Sequence, residues 1–152
     1  MMNRFFELTF RPFFVLTGAG TAAVGLNAFW PQWTVETIEK LSFVREYTII
    51  LQHWGIMVSL MGVFMIVAAF RTDGRNPILI FSALEKSFMV YLVLANVSHP
   101  YAKGFWIGAA MDATVVLYTI AYFTACGFAT SAAPSPSPPR TTLTPSGTRG
   151  AI

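Results

Sequence analysis

The chain has 152 residues, of which 55% are hydrophobic and 11% are charged. Soluble domains carry about 25% charged residues, so this composition excludes an ordinary water-soluble protein and predicts a surface that largely faces lipid. The net charge of +3 comes from scattered basic residues, which excludes a nucleic-acid-binding patch, and the single cysteine excludes an intramolecular disulfide and a cysteine-based metal site.

The first predicted span covers residues 12–29 and follows an aromatic segment, residues 1–11, which we expect to lie at the lipid headgroups. Pro12 suits the first helical turn, because the N–H that proline lacks has no partner there. The span also carries small residues at helical spacing, which predict a thin face for close packing against another helix. These residues are Gly18, Ala22 and Gly25.

Residues 34–45 carry an apolar stripe among charged side chains. This pattern favours a short amphipathic helix on the membrane surface, with an irregular loop as the alternative. The second span is predicted over residues 46–70, and His53 is the only histidine within a predicted span. One face of this span is small and polar, as expected of a face turned toward other helices. Its members are Gln52, Gly55, Ser59 and Gly62.

The third predicted span, residues 77–98, contains Glu85 and Lys86 side by side in a hydrophobic run of bilayer length. A charged side chain at the bilayer centre costs at least about 2.5–3.5 kcal/mol, so it must face protein, water or a partner charge. Helical spacing places Ser82 and Asn96 on the same stripe as Glu85. We therefore expect a buried polar stripe along this helix.

The third span is expected to begin with Asn76 as its N-cap and Pro77 in its first turn. The chain then turns back at Pro100. Counting residues in both directions from that turn, Lys86 and Asp112 differ in depth by about 4.5 Å at 1.5 Å per residue. This difference is within the reach of a lysine side chain, so we expect the two residues to pair.

The fourth span is predicted over residues 103–127. Gly104 and Gly108 precede Asp112 at four-residue spacing, which predicts that Asp112 projects from a closely packed glycine face. The remaining residues, 128–152, are rich in proline, serine and threonine and carry almost no apolar side chains. Such a segment cannot bury a core, so we expect a disordered tail.

Together these elements predict an all-α, up-and-down bundle of four transmembrane helices in residues 1–127, within the lipid bilayer. Basic residues near the membrane are slightly more numerous on the side of the termini, which favours cytoplasmic termini and a multi-pass protein of the inner (plasma) membrane. They are Arg4, Arg11, Arg71 and Arg75, against Lys40, Arg45 and Lys103 on the other side.

Glu85, Lys86 and Asp112, with Ser82 beside them, are predicted to form one polar centre. One interpretation is an ion pair that locks the third span to the fourth, and the other is a polar pocket that binds a charged headgroup or relays a proton. A metal site is disfavoured because Lys86 would compete with the metal, and we expect no metal.

His53, Gln52 and Asn96 are secondary candidates. His53 is interpreted as a histidine near the membrane interface that is satisfied by polar neighbours. Ligation of a haem or a quinone is the alternative, but a single buried histidine is not a ligand pair. We therefore expect no cofactor.

The layout of the spans resembles that of small bacterial four-span membrane proteins of the DoxX-like group. The resemblance covers residues 12–127 and implies a four-helix inner-membrane bundle that sometimes acts as an accessory subunit. It assigns no catalytic residue to this sequence. It is carried by His53-Trp54-Gly55 through Ala69-Phe70-Arg71, by Arg75-Asn76-Pro77, by Glu85-Lys86 and by Asp112.

No catalytic residue is predicted, because the sequence has no phosphate-binding loop, dinucleotide fingerprint, zinc signature or serine-hydrolase elbow. The first hypothesis is a non-catalytic accessory or scaffold subunit, whose partners are other membrane proteins or further copies of itself. The second is a protein that binds or transports a small lipophilic or charged molecule at the Glu85, Lys86 and Asp112 centre. The third is a membrane enzyme or redox subunit that uses His53.

Overall fold

The computed structural model describes residues 4–127, and every regular element within them is a helix. Four helical segments of this part of the chain are long and apolar enough to cross a membrane. The prediction of an all-α, up-and-down four-helix bundle is therefore confirmed, and the segments are those of a multi-pass membrane protein. They are Arg4–Phe29, Arg45–Phe70, Arg75–Ala95 and Pro100–Cys126. The tail predicted over residues 128–152 lies outside the described residues.

The first membrane segment consists of two helices that are separated by a turn, and a third short helix follows it. The second and fourth segments each begin with a short 3₁₀ turn, Arg45–Tyr47 and Pro100–Phe105. The α-helices, in chain order, are α1 (Arg4–Ala23), α2 (Leu26–Phe29), α3 (Pro31–Thr37), α4 (Thr48–Phe70), α5 (Arg75–Ala95) and α6 (Trp106–Cys126).

The first span differs from its prediction at both ends. Helix α1 begins at Arg4, so Pro12 lies inside the helix and not in its first turn. The helix continues through the proline because Phe6, Phe10 and Phe14, spaced four residues apart, are buried along one of its faces. The span is also interrupted after Ala23, where a turn precedes the short helix α2.

The start of α5 also differs from its prediction. The cap position is occupied by Gly74, in a left-handed conformation with φ 77°, and not by Asn76. Arg75 is the first helical residue, and its side chain is held in place by two contacts. Its Nε donates to the Ala68 carbonyl at 2.9 Å, and its guanidinium lies 4.5 Å from the centre of the Phe10 ring.

The predicted amphipathic helix over residues 34–45 is wrong beyond Thr37, where α3 ends. Residues 38–44 are irregular, as the loop alternative expects, and Lys40 has a positive φ of 56°. The helix ends because the backbone N–H groups of Ile38 and Glu39 both donate to the Thr34 carbonyl, which closes the last turn.

Small residues bring α1 and α2 into close contact with α4. An added Cβ at Gly62 would collide with the backbone of Gly18 and Ala22, so no larger residue fits there. Ser59 donates from Oγ to the Ala22 carbonyl at 3.0 Å, and Gln52 donates from Nε2 to the Ala28 carbonyl at 3.0 Å. The small faces predicted for the first two spans are therefore used within the bundle.

An aromatic core closes the end of the bundle where α1 begins and α6 ends. Phe13 stacks on Tyr118 with ring centres 3.9 Å apart, and the Tyr118 hydroxyl lies 2.8 Å from the Thr9 hydroxyl. These contacts join α1 to α6 at this end. The buried core residues are Phe6, Phe10, Phe14, Met65, Ala69, Leu79, Val115 and Tyr122.

We expect Gly62→Ala to lower the melting temperature of the detergent-solubilised protein. The new methyl group pushes α1 away from α4, and overpacking of this kind costs about 1–3 kcal/mol. Gly108→Ala in α6 is the matched control, because an added Cβ there meets no atom within 4 Å. Both changes replace a helical glycine by alanine, so a Gly62→Ala protein as stable as the control would contradict the close contact.

Candidate functional site

Lys86 and Asp112 form a buried ion pair that joins α5 to α6. Lys86 Nζ lies 2.7 Å from Asp112 Oδ1, and the two side chains are only 2% and 11% exposed. The predicted pairing of the two residues is therefore confirmed. At this distance the contact is a charge-assisted hydrogen bond, which is stronger than one between neutral groups.

The pair lies near the middle of the membrane segments. Lys86 is the twelfth residue of the 21-residue helix α5, next to its midpoint, on the same buried face as Leu79, Ser82 and Val93. A position eleven residues from the helix start lies about 16 Å along the helix axis. A charged side chain at this depth is costly unless it is compensated, and the two residues compensate each other.

Glu85 adds a second carboxylate to the pair. Its Oε2 lies 3.8 Å from Lys86 Nζ, which is close enough for an ion pair but not for a hydrogen bond. This oxygen is buried and has no hydrogen-bond partner within residues 4–127. The Lys86 ammonium group therefore faces two carboxylates. It donates a hydrogen bond to Asp112 but not to Glu85.

A cavity of about 350 Å³ adjoins this cluster, between α1 and α2 on one side and α5 and α6 on the other. It lies in the half of the bundle away from the aromatic core. Thr21 of α1 lines it, is 1% exposed, and its Oγ1 has no hydrogen-bond partner among the described residues. Apolar side chains form much of the remaining wall, among them Val24, Trp54, Val58, Met89 and Met111.

A second polar group lines the same cavity and was missed by the sequence analysis. The Thr34 hydroxyl donates to Asn27 Oδ1 at 2.6 Å, which leaves Asn27 Nδ2 to face Glu39 Oε1 at 3.4 Å. Burial raises the pKa of the Glu39 carboxyl, and the hydrogen bond from Asn27 partly opposes this effect. No periodic signal could have revealed the group, because Glu39 follows the end of α3.

The glycine face predicted for the fourth span is not closely packed along its whole length, because Gly104 lies in the 3₁₀ turn and Gly108 in α6. A Cβ at Gly108 would meet no atom within 4 Å, and Gly108 lines the cavity together with Asp112. Only Gly104 fits the prediction, because its Cα lies against the Glu39 carbonyl. The missing side chain at Gly108 therefore leaves open space beside the ion pair.

The other predicted site residues lie outside the cavity wall. Ser82 is 1% exposed, one turn before Lys86, and its Oγ has no hydrogen-bond partner within the described part of the chain. Gln52 donates a hydrogen bond to the Ala28 carbonyl of α2. Asn96 accepts a hydrogen bond from the Tyr101 hydroxyl at 2.8 Å. His53 is exposed on α4. The three secondary candidates are therefore not brought together with the polar centre.

The chain matches no known family model, no curated protein and no solved structure. The resemblance to DoxX-like proteins therefore stays a prediction. Within residues 4–127, no group of three or more histidine, cysteine, aspartate or glutamate side chains could hold a metal ion. The groups that the site offers for binding or chemistry are carboxylates, one ammonium group and hydroxyls.

We expect Lys86→Met and Asp112→Asn each to lower the melting temperature in detergent, because each removes the hydrogen-bonded partner of a buried charge. In the Asp112 variant, Lys86 keeps only Glu85 Oε2, which lies 3.8 Å away. In soluble proteins such a loss costs about 3–5 kcal/mol. The double variant leaves neither charge of the pair, so its loss should be smaller than the sum of the two single losses. Additive losses in this double-mutant cycle would contradict the ion pair.

We expect Glu39→Gln to stabilise the protein, and to do so more as the pH rises. A raised pKa means that folding disfavours the charged carboxylate. The native protein therefore loses stability as the pH rises from the ordinary glutamate pKa of about 4.3 to the raised value, and glutamine avoids this loss. Melting temperatures measured across this pH range test the prediction. The control is Glu36→Gln, because Glu36 is exposed. A stabilisation by Glu39→Gln that does not grow with pH would contradict the burial of the charge.

Proposed function

We propose that the protein binds a small amphiphilic molecule inside its membrane domain, in the cavity beside Lys86 and Asp112. The observation that carries this proposal is a cavity of about 350 Å³ whose wall combines apolar side chains with charged groups near mid-bilayer depth. Ligand sites are typically cavities of about 300–1,000 Å³ with mostly apolar walls and a few polar groups that fix orientation.

The distribution of the wall residues suits a molecule with an apolar body and a polar group. The polar side chains form two groups, one around Glu85, Lys86 and Asp112 and the other around Asn27 and Glu39. Apolar side chains complete the wall, and two of them are methionines. Methionine is flexible and polarisable, so such a wall adapts to the shape of a bound molecule.

The packing of the glycines favours this function over a scaffold. The scaffold hypothesis depends on small-residue faces that remain available for a partner. The faces around Gly18 and Gly62 are occupied by contacts within the bundle, and the face around Gly108 borders the cavity. A binding function also requires no catalytic residue, and the sequence carries no catalytic motif. An accessory subunit that carries a bound molecule remains compatible with these observations.

We also propose that the protein resides in the inner membrane with its termini in the cytoplasm, and that it is related to DoxX-like proteins. The arginines near the aromatic end of the bundle support the orientation. The four-span layout supports the relationship. The cavity then lies in the half of the bundle that is distant from the cytoplasm.

Trp54 lines the cavity and can report binding. In a variant whose other tryptophans are replaced by phenylalanine, 2-(4-bromophenyl)ethanol should quench Trp54 fluorescence in a saturable manner, because bromine quenches at short range. The measurement uses lipid nanodiscs of zwitterionic lipid. The replaced residues, Trp30, Trp33 and Trp106, are all exposed.

We expect Gly108→Leu to abolish the saturable part of this quenching, because the new side chain fills the cavity. Ala110→Leu is the matched control, since Ala110 is exposed on the same helix and does not line the cavity. In the control variant, the probe should quench Trp54 fluorescence to the same extent as in the parent. Quenching that rises linearly and equally in all three proteins would reflect probe dissolved in lipid and would contradict the proposed function.

A further inference from the structure

The cavity wall has more negative than positive groups. Glu39, Glu85 and Asp112 line it, and Lys86 is the one basic residue among the described residues that do. Lys86 Nζ is engaged by Asp112 at 2.7 Å, so its charge is already compensated. Glu85, near the middle of the membrane, is therefore a carboxylate whose charge no other basic residue of the wall compensates. Glu39 is a second such carboxylate, in the irregular segment that follows α3.

The wall also presents hydrogen-bond acceptors that have no donor. Glu85 Oε2 and Thr21 Oγ1 are both buried and without a hydrogen-bond partner in the part of the chain that the structure describes. A carboxylate accepts hydrogen bonds only, and a hydroxyl both donates and accepts. Both residues line the cavity, so a bound group that supplies an N–H donor to either atom would offset the cost of leaving that atom without a hydrogen bond.

Two other classes of ligand fit the wall less well. An anion would meet an ammonium group that Asp112 already neutralises, together with two further carboxylates. A metal ion prefers several oxygen ligands and would be repelled by Lys86, which lies 3.8 Å from Glu85 Oε2. Neither would use the apolar part of the wall.

We propose that the ligand is a small organic ammonium compound, an inference that rests on the proposed binding function. Its N–H groups donate to Glu85 Oε2 and Thr21 Oγ1, and its positive charge compensates the surplus carboxylate. Its apolar body lies against the side chains of Met89 and Met111. Glu39, held by Asn27, gives the cavity a second negative group that favours cations.

Three brominated probes of matched size test the ligand class in the variant that retains only Trp54. They are 2-(4-bromophenyl)ethylammonium, 2-(4-bromophenyl)ethanol and 3-(4-bromophenyl)propanoate. Charge-assisted hydrogen bonds are about twice as strong as neutral ones, so we expect the ammonium probe to bind at least about tenfold more tightly than the alcohol. The carboxylate should bind most weakly.

The two proposals fail in distinguishable ways. If the alcohol or the carboxylate saturates as tightly as the ammonium probe, and Gly108→Leu abolishes that binding, the cavity binds ligands but the ammonium proposal is wrong. If none of the three probes quenches in a saturable manner, both proposals are wrong.

Two variants assign the contacts. Glu85→Gln should lower the affinity for the ammonium probe by about tenfold or more, because it removes only the charge of the carboxylate. The affinity for the alcohol should stay nearly unchanged. Thr21→Val removes an unpartnered hydroxyl at nearly constant shape, so the variant should fold. The Thr21→Val variant should bind the primary ammonium probe several-fold more weakly than the parent does. Its affinity for the trimethylammonium analogue, which has no N–H donor, should be unchanged. Equal affinity of the ammonium probe in both variants and the parent would overturn the proposal.

Discussion

The ion pair between Lys86 and Asp112 is the constraint on which the rest of the structure depends. Either charge alone is strongly disfavoured near the bilayer centre, where the other is the partner that compensates it. The pair therefore fixes the rotation of both α5 and α6, since each must turn its charged residue toward the other. It also fixes their relative depth, because the reach of the two side chains is limited.

A second kind of contact holds the other side of the bundle. Helices α1 and α4 approach closely through Gly18 and Gly62, without charged side chains at the contact. The two pairs of helices meet at the aromatic core, where Phe13 stacks on Tyr118, and through the hydrogen bond from Arg75 to the Ala68 carbonyl. Toward the opposite end they leave a cavity between them. The cavity thus follows from a bundle whose two halves are each well packed but are joined mainly at one end.

Much of the fold and the ion pair could be predicted from the sequence, because both follow from counting. Bilayer-length apolar runs give the four helices. In an antiparallel pair of straight helices the depth of a residue depends only on its distance from the turn, which is why Lys86 and Asp112 could be matched. The burial of Phe6, Phe10 and Phe14 was not predicted, because Pro12 suggested that the first helix begins only there.

The cavity could not be predicted in the same way, since spacing shows which residues share a face but not what that face meets. Gly108 shares its face with Gly104, yet one borders empty space and the other packs against the Glu39 backbone. The position of Glu39 depends on the irregular residues 38–44 and on its contact with Asn27, and neither has a periodic signature.

The distance between Lys86 and Asp112 in a lipid bilayer is the most direct measurement of the central interaction. Solid-state NMR can detect the dipolar coupling between ¹⁵N at lysine ζ positions and ¹³C at aspartate γ positions. The chain has only two aspartates, Asp73 and Asp112, so the signal is readily assigned. We expect a strong coupling, in keeping with an Nζ–Oδ1 distance of 2.7 Å, that disappears in Lys86→Met. The absence of such a coupling in the folded parent protein would contradict the ion pair on which the bundle and its cavity depend.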